Sequence, residues 1–362
     1  MAPGSPHAAA SAWAWRPLDD LLAAHGLAGI EEVEFPNDGW SGAALTAIDG
    51  PSGRFILKRT SWAVDWIARS TRDHAIREAV LAADPLPFPP GLVSAHLGAA
   101  ADGNAAAILM PDLSAWLIPW DRREGGAAIV DGEALERVLA AAAAIHAMPW
   151  ADLLDATPED GTWWPWCPVR ERVQLLSRES ATRYRAGGVW VGDRFLAGWD
   201  AFDRLAPGPA RDVVEELTAD PGPLIAALER LPATGLHGDL KAANIALLPD
   251  GRATCIDWQL TTFAPVAIEL GWLLVANVAQ LAEPPDTILE RYRAALEAAG
   301  GGRLIGDWAA QRDLAILVGL LLRGWRKGLD AAAGAVLPTG VAADDDLAWW
   351  SDEAVAAASR RL

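Results

Sequence analysis

Cysteine is scarce in this sequence, whose 362 residues include only Cys167 and Cys255. Two thiols are too few for a disulfide framework, and these two lack the CxxC spacing of a zinc site. The first residues, MAPGSPHAAASAWAW, also lack the basic stretch and the apolar stretch of a secretory signal peptide. We therefore expect a protein of the reducing cytoplasm, with Cys255 as a small buried side chain in a strand.

Long apolar segments and an excess of basic residues are missing as well. The longest apolar run, residues 314–322, has nine residues, whereas a membrane-spanning helix needs about 20. This run is instead predicted to be a buried helix. The sequence has 30 Lys and Arg but 48 Asp and Glu, a formal net charge of −18. That charge repels nucleic acid phosphates and anionic lipids, so we expect neither nucleic acid nor a membrane as a partner.

The character of the chain changes near residue 112. Before it, short β-like segments alternate with turn signals and predict an antiparallel meander with one inserted helix. After it, helical periodicity dominates, and a hairpin at 244–257 interrupts it. The sequence thus predicts an α+β fold with a β-rich lobe over 1–112 and a mainly helical lobe over 113–362. The predicted strands cover 30–35, 44–48, 54–60, 92–98 and 105–110, and the predicted helices cover 17–27, 73–84, 131–147, 210–231, 266–280, 285–299, 306–327 and 344–361.

The strongest motif is HGDLKAAN at residues 237–244, which is followed by Asp257 in CIDWQ. It places Asp239 and Asn244 close together on a loop and adds a second carboxylate at the end of a short hairpin. A magnesium–nucleotide site needs such a set, because the metal takes a few protein oxygens beside phosphate oxygens while another carboxylate receives a hydroxyl proton. The spacing matches the HxDxxxxN catalytic loop of kinases, with Gly238 in place of its Arg.

These residues resemble the signature of the aminoglycoside phosphotransferase and choline kinase-like family of small-molecule kinases, which has a protein-kinase-like two-lobed fold. The resemblance covers about residues 30 to 280. It implies that Asp239 is the catalytic base, that Asn244 and Asp257 bind Mg²⁺, and that His237 braces the catalytic loop. The sequence Asp-Trp-Gln from Asp257, where protein kinases have Asp-Phe-Gly, favours a small-molecule acceptor over a protein.

The same resemblance implies an ATP site in the first lobe. Lys58, at the end of the apolar segment RFILK, would bind the α- and β-phosphates, and Glu78 would pair with it. Taken singly, Lys58 could be a lysine at a strand edge and Glu78 a solvated helix residue. Taken together they favour the nucleotide-binding roles, because they occur in the expected order on a strand and the following helix.

The segment ILMPDL is identified by the resemblance as the hinge that holds adenine. Met110 would be the gatekeeper, and the carbonyl of Pro111 and the N–H of Leu113 would bind the base. Proline is compatible with this role because only its carbonyl is used. In the loop NDGWSG, which would cover the phosphates, the candidate residues are Ser41 and Gly42.

Tryptophan is over-represented, with 19 copies against 2 Tyr and 6 Phe. Two Trp-rich segments, 162–173 and 344–353, fall in regions that relatives of this family use to shape the acceptor pocket. Their rings could stack on a sugar or hold an amine by cation–π contact, or they could staple the helical lobe together. The candidate substrate residues are Trp163, Trp164, Trp166, Trp349 and Trp350.

The residues and the resemblance together predict an enzyme that transfers the γ-phosphate of ATP, with Mg²⁺, to a hydroxyl of a small polar metabolite or natural product. An aminoglycoside antibiotic kinase and a choline or amino-alcohol kinase are the alternatives within this class. A kinase-fold module that binds a nucleotide without catalysis and a nucleotidyltransferase are the alternatives outside it. Neither the acceptor nor the oligomeric state follows from the sequence. Outside the reacting groups, Glu269 is predicted to brace the catalytic loop and His146 to be a core histidine.

Overall fold

The computed structural model describes residues 12–36, 39–84, 86–119, 129–153 and 166–362. The strands are β1 (Glu32–Glu34), β2 (Ala44–Gly50), β3 (Gly53–Thr60), β4 (Gly98–Asp102), β5 (Ala105–Pro111), β6 (Ala233–Leu236), β7 (Ile245–Leu247), β8 (Ala253–Cys255) and β9 (Thr262–Pro265). The α-helices are α1 (Leu18–Ala24), α2 (Trp66–Ser70), α3 (Arg77–Ala83), α4 (Gly132–Ala147), α5 (Trp150–Leu153), α6 (Val169–Gln174), α7 (Arg178–Ala186), α8 (Val191–Leu205), α9 (Gly208–Ala219), α10 (Gly222–Leu228), α11 (Val266–Ala276), α12 (Pro285–Ala298), α13 (Trp308–Ala332) and α14 (Ala343–Arg361). Short 3-10 helices cover Ala12–Trp15, Ala242–Asn244, Trp258–Leu260 and Gly302–Leu304.

The N-terminal half is built on an antiparallel sheet with the order β1-β2-β3-β5-β4. Successive side chains of a strand point to opposite faces of the sheet, so β3 contributes side chains to both faces. Phe55 and Leu57 pack with α1 on one face, and Ile56 packs with α3 on the other. Lys58 shares the face of Ile56, and this places its amine on the side of the sheet that α3 covers.

Three expectations for this half are wrong in detail. The strand predicted at 92–98 begins only at Gly98, and β5 lies between β3 and β4, so the sheet is not a simple meander. The alternating pattern of LVSAHLG is typical of a strand, but its backbone finds a different partner: Val93 N–H donates to the carbonyl of Ala253 in the C-terminal hairpin, at 3.0 Å. The helix predicted from residue 73 begins at Arg77, after a separate short helix that Asp65 caps.

The C-terminal half is helical, with α13 packed against α8, α11 and α14. The predicted buried helix at 314–322 is confirmed as the centre of α13. The helix predicted over 210–231 is interrupted near Pro221, because proline lacks the N–H that would continue the backbone ladder. None of the described helices is long and apolar enough to cross a lipid bilayer. The boundary between the lobes at residue 112 stays a prediction.

Aromatic side chains join the two halves on one side of the molecule. Trp66 on α2 contacts the rings of Tyr184 and Phe195, at centroid distances of 4.7 and 6.3 Å. Trp40, in the loop between β1 and β2, contacts Trp190 at 5.5 Å and Phe195 at 6.0 Å. The loop that precedes β2 is therefore in direct contact with α8 and the residue before it.

Candidate active site

The amine of Lys58 lies between two carboxylates from distant parts of the chain. Its Nζ is 2.6 Å from Glu78 Oε2 on α3 and 2.8 Å from Asp257 Oδ1, which follows β8. Burial opposes the charged amine, but Asp257 and Glu78 outweigh it and raise the pKa of Lys58. A buried lysine held in this way is a fixed positive charge.

Glu78 makes further contacts that connect α3 to the C-terminal half. Its Oε1 accepts the backbone N–H of Asp257 at 3.2 Å and lies 3.4 Å from His96 Nε2. Burial opposes the ionised carboxylate, yet Lys58 and His96 hold the pKa of Glu78 well below its usual range. Sequence reasoning did not identify His96, because an isolated histidine carries no pattern.

The catalytic-loop motif is held by a buried carboxylate on α11. Glu269 accepts the backbone N–H groups of His237 and Gly238, both at 2.8 Å, and of Leu240 at 3.2 Å. His146 Nε2 lies 3.1 Å from the same carboxylate, and its Nδ1 lies 2.6 Å from the Tyr292 hydroxyl. Burial opposes ionisation, but His146, His237 and the backbone donors lower the pKa of Glu269. These are the contacts expected of a brace.

His237 links the loop to the segment that carries Asp257. Its Nδ1 accepts the N–H of Asp239 at 3.2 Å, and its Nε2 donates to the carbonyl of Ile256 at 3.0 Å. These two bonds assign the proton to Nε2. Burial outweighs the nearby carboxylates and lowers the pKa of His237, and the ring orients the loop through its two hydrogen bonds.

Asp239 has one oxygen bonded and one oxygen without a partner. Its Oδ2 accepts from Lys241 Nζ at 3.0 Å and from Asn244 Nδ2 at 3.1 Å. Its Oδ1 is buried and has no hydrogen-bond partner in the described part of the chain. Burial alone would raise the pKa of Asp239, but Lys241, Arg172 and His237 lower it. The arrangement is an ionised carboxylate with one oxygen available to a hydroxyl group.

The β7–β8 hairpin brings Asn244 and Asp257 together. Ile245 pairs with Cys255, and the N–H of Ile256 donates to the carbonyl of Asn244 at 3.0 Å. Asp257 has φ +68°, a conformation uncommon for residues other than glycine, and its side chain is 25% exposed. Asn244 and Asp257 thus flank the same end of the hairpin, Asp257 in contact with Lys58 and the Asn244 side chain with Asp239, and their binding of one Mg²⁺ stays a prediction.

Lys241 is a functional candidate that sequence reasoning missed. Its amine bonds to Asp239 Oδ2, and the carboxylates of Asp239 and Asp257 raise its pKa although burial opposes the charge. The available signal was its position, two residues after Asp239 within the motif. A cation at this place lies beside the carboxylate that the sequence predicts to be the catalytic base.

The proposed hinge residues lie where the sheet meets the hairpin. Met110 pairs with Ile56 across β3 and β5, and Leu113 packs with Ala246 of β7. Ile256 packs against the apolar clusters that contain Met110 and Leu113. The N–H of Leu113 donates to no group among the described residues. Apolar side chains beside an available backbone donor are suited to a flat heterocycle, and the binding of adenine here stays a prediction.

Pro111 ends β5 and pairs with Phe55, and the N–H of Asp112 after it still donates to the carbonyl of Arg54 at 2.9 Å. Ser41 and Gly42 contact the turn before α2. The carbonyl of Ser41 accepts the N–H of Trp66 at 3.3 Å, and a Cβ on Gly42 would lie 2.8 Å from the carbonyl oxygen of Val64. The structure places these two residues in the loop that follows Trp40, and their contacts with a phosphate stay a prediction.

The candidate tryptophans do not form one group. Trp163 and Trp164 lie outside the described residues. Trp166 contacts the rings of Trp150 and Phe263, at 5.8 and 5.4 Å. Trp350 is 1% exposed and close to Gly319, and the half-buried Trp349 contacts its edge at 5.5 Å. The contacts of Trp350 are those of a residue that staples helices. The role of the candidate tryptophans in substrate binding stays a prediction.

Gly238 gives a prediction that depends on the close approach of two loops. It has φ +85°, and a Cβ there would lie 1.8 Å from the carbonyl oxygen of Leu260. We expect Gly238→Ala to displace Asp239 and to lower turnover by roughly 100-fold, as ångström-scale misplacement does. Steady-state assays and thermal unfolding would measure the effect.

The matched control for this change is Gly251→Ala in the β7–β8 turn. Gly251 has φ +88°, and nothing lies within 4 Å of the added Cβ. Both variants carry the backbone penalty of about 1 kcal/mol for a left-handed alanine, but only Gly238→Ala has the clash. Equal turnover in the two variants would contradict the prediction.

The amino-acid sequence matches one known protein family. The sequence model of the phosphotransferase enzyme family, APH, matches residues 32–314. No curated protein is significantly similar to the chain. Residues 32–314 include the sheet, the catalytic-loop motif, the hairpin and part of α13, so the match extends over both halves of the fold.

Several solved structures resemble the whole chain. A Ralstonia eutropha JMP134 protein provisionally assigned as an aminoglycoside phosphotransferase is 16% identical, with TM-score 0.50, and the match covers 95% of this chain and 98% of that one. Spectinomycin phosphotransferase, solved with ADP and spectinomycin, is 13% identical with TM-score 0.45 and the same coverages. A choline/ethanolamine kinase family protein from Mesorhizobium loti is 16% identical with TM-score 0.41, covering 94% and 97%. At 16% identity and TM-score 0.50 the likeness to the Ralstonia eutropha protein concerns the fold alone, and together with the family match it confirms the protein-kinase-like α+β fold expected from the sequence.

Proposed function

Because this chain belongs to the phosphotransferase enzyme family, we propose that it transfers the γ-phosphate of ATP to a hydroxyl group of a small molecule, with Mg²⁺ as the metal. The observation that carries the proposal is the pair of oxygens of Asp239. One is held by Lys241 and Asn244, and the other is buried and available. Phosphoryl transfer needs little covalent help from a protein, so a positioned carboxylate among fixed cations supplies much of what the reaction requires.

The nucleotide is held by residues from both halves of the fold. Lys58, fixed by Glu78 at 2.6 Å, provides the positive charge for the α- and β-phosphates. The slot formed by Met110 and Leu113 takes the adenine, with the carbonyl of Pro111 and the N–H of Leu113 as its polar contacts. Ser41 and Gly42 are the residues of the first loop that cover the phosphates.

Asn244 and Asp257 are the residues that would hold Mg²⁺. Among the described residues, no group of three or more His, Cys, Asp or Glu could hold a metal ion unaided. Phosphate oxygens would therefore complete the coordination, as is usual for Mg²⁺ in kinases. When bound, the ion neutralises negative charge on the phosphates.

The acceptor hydroxyl is oriented by Asp239 Oδ1, which takes its proton. The lowered pKa of Asp239 keeps this carboxylate ionised at neutral pH. Lys241 holds the other oxygen at 3.0 Å, so the carboxylate cannot rotate freely. Its amine also lies close to the position where negative charge passes to the acceptor oxygen, and there a cation lowers the barrier.

The proposal is tested with the full-length protein in two steps. Thermal unfolding is measured with ATP in the presence of MgCl₂ and, as the control, of EDTA. Release of ADP is then measured across a library of hydroxyl compounds, and the product masses are determined. We expect nucleotide-dependent stabilisation that needs Mg²⁺, and a product heavier than the acceptor by one phosphoryl group.

The other functions predict different results in the same experiment. Stabilisation without ADP release on any acceptor would identify a nucleotide-binding module. A product that carries AMP would identify a nucleotidyltransferase. An aminoglycoside or an amino alcohol as the best acceptor would assign the enzyme to one of those two substrate classes.

A further inference from the structure

A cluster of buried hydrogen-bond donors without partners lies close to the catalytic loop. It consists of Arg172 on α6, Trp272 on α11, and Arg323 and Trp325 on α13, and we call it the donor cluster. Arg172 Nη1, Arg323 Nε and the indole N–H groups of Trp272 and Trp325 have no hydrogen-bond acceptor among the described residues. A buried donor without an acceptor destabilises the folded state. Four such donors together indicate a place built for a group rich in oxygen.

The members of the donor cluster contact one another and the residue before Asp239. Arg172 donates through Nε and Nη2 to the carbonyl of Gly238, at 2.9 and 2.7 Å. The guanidinium of Arg172 lies 4.8 Å from the ring centroid of Trp272, and that of Arg323 lies 5.6 Å from the same ring. Arg323 also lies 5.4 Å from the ring of Trp325. The cluster is thus continuous from α13 to the catalytic loop.

The two arginines of the donor cluster have no direct ion-pair partner in the described part of the chain. Asp239 and Asp330 are the carboxylates whose charges act on Arg323. Asp239 is bonded to Lys241 at 3.0 Å, and Asp330 to Arg326 at 2.8 Å. Arg172 and Arg323 form no ion pair with a carboxylate among the described residues. The charges of Asp239 and Glu269 act on Arg172, but Glu269 is already bonded to three backbone N–H groups of the catalytic loop. The donor cluster therefore contains two cations whose N–H groups are not committed to a carboxylate.

Arg323 has two unfavourable features, an irregular backbone within a helix and a charge that burial disfavours. This residue has φ −138° and ψ 19°, which interrupts α13 in its middle. Burial lowers the pKa of Arg323 to about 10, so the folded state holds a charge that it disfavours. Local irregularity and a partly buried charge without an ion-pair partner usually persist where a ligand uses them.

The donor cluster belongs to helices that contribute nothing to the nucleotide site. Its residues lie on α6, α11 and α13, whereas the nucleotide residues lie on the sheet, α3 and the hairpin. Arg194 on α8 adds a further cation whose charge also acts on Arg323, and its guanidinium lies 5.3 Å from the ring of Trp40. The cations near the donor cluster therefore extend to Trp40, in the loop that contacts α8.

We propose that the acceptor of this enzyme carries an anionic oxygen group, a carboxylate or a phosphate, and that the donor cluster binds this group. The proposal rests on the function proposed above. Arg323 and Arg172 supply charged N–H groups suited to paired oxygens, and the indoles of Trp272 and Trp325 add neutral donors. A cationic acceptor such as an aminoglycoside or a quaternary amine would be repelled by the same cations.

The test uses acceptors that differ mainly in charge. Gluconate, glucose and glucosamine form one set, and glycerate, glycerol and 3-aminopropane-1,2-diol form another. Glycerol 3-phosphate and glucose 1-phosphate distinguish phosphate from carboxylate. ADP release is measured with each probe, and thermal unfolding is measured with each probe plus Mg²⁺ and a non-hydrolysable ATP analogue. We expect the anionic probes to exceed their neutral partners by roughly 10-fold or more in kcat/KM or in binding.

Variants of Arg323 connect any such preference to the donor cluster. Arg323→Gln is expected to reduce the ratio of anionic to neutral probe efficiency by roughly 10- to 100-fold, the value of a hydrogen-bonded charge. Binding of Mg-ATP should change by no more than about twofold, because Arg323 lies outside the nucleotide set. Arg323→Lys should recover part of the ratio. Arg293→Ala is the matched control, because Arg293 also lies over a tryptophan, 5.8 Å from the ring of Trp308 on the helical half, and its side chain is 40% exposed.

The outcomes separate this proposal from the proposed function. A neutral or cationic probe as the best acceptor, or an anionic preference that Arg323→Gln leaves intact, overturns the anionic acceptor while the kinase activity stands. Loss of Mg-ATP binding in Arg323→Gln reassigns the cluster to the nucleotide phosphates and also overturns it. Mg-ATP binding without response to any anionic probe counts against it as well. Absence of both Mg-ATP binding and ADP release is failure of the proposed function itself.

Discussion

Replacement of Asp239 by Asn is expected to lower kcat by about 1,000-fold, within the range that a general base contributes. Asn keeps the shape of the side chain, and its oxygen can still accept from Lys241, but it cannot take a proton from the acceptor hydroxyl. The nucleotide contacts come from Lys58 and Asp257, which this change does not touch. Affinity for Mg-ATP, measured by calorimetry, should therefore stay within about threefold of the wild-type value.

A control removes a carboxylate of the same type elsewhere in the helical half. Asp200→Asn breaks the exposed pair with Arg178, whose atoms are 2.7 Å apart. Exposed pairs of this kind contribute little, so turnover and unfolding temperature should be close to wild type. Wild-type turnover in Asp239→Asn would refute the assignment of the base. A large loss of Mg-ATP affinity would instead place Asp239 among the nucleotide ligands.

Replacement of Asp257 by Ala is expected to weaken Mg-ATP binding by roughly 100-fold, because the change removes an oxygen ligand of the metal. Lys58 loses one of its two partners but keeps Glu78 at 2.6 Å, so the amine stays in place and charged. This separates the metal contact from the phosphate contact. The measurement is a titration with ATP, followed by calorimetry, at several Mg²⁺ concentrations.

The dependence on Mg²⁺ provides the control for this variant. In EDTA, Asp257→Ala and the wild type should bind ATP with affinities that differ by no more than a few-fold, since no metal contact is then lost. Asp257→Asn, which retains one oxygen, should fall between the two at saturating Mg²⁺. Unchanged affinity for Mg-ATP in Asp257→Ala would remove this residue from the metal site.

Most of the secondary structure follows from patterns in the sequence, and the exceptions have physical causes. Residues 92–97 alternate like a strand, but their backbone pairs with Ala253 in the other half of the molecule. The helix at Val191–Leu205 was not predicted although its buried residues recur at helical spacing. Its glycines argue against a helix. Gly198 is there for packing, because a Cβ at this position would lie 2.5 Å from the carbonyl oxygen of Trp325.

In the candidate site, too, the residues that are close together in the chain could be predicted, and the contacts between distant segments could not. Asp239, Asn244 and Asp257 belong to one short stretch of chain, so their spacing already describes a kinase-like loop. Lys241 was within that stretch but was overlooked, because its role depends on the direction of its amine toward Asp239. His96 could not be found from the sequence, since its contact with Glu78 depends on how an irregular segment passes beneath the sheet.

The sequence by itself determined the chemistry of phosphoryl transfer that we propose, because the motif residues are close together in the chain and their order is characteristic. Its tryptophan-rich segments were candidates for the acceptor pocket, and its net charge of −18 argued only against nucleic acid and membranes as partners. The donor cluster on which we base the anionic acceptor is a feature of the tertiary structure alone. Arg172, Trp272 and Arg323 are far apart in the chain, and the packing of α6, α11 and α13 brings their side chains together, with Arg172 bonded to the carbonyl of Gly238. A net charge sums over the whole surface, whereas a substrate responds to the few charges that it contacts.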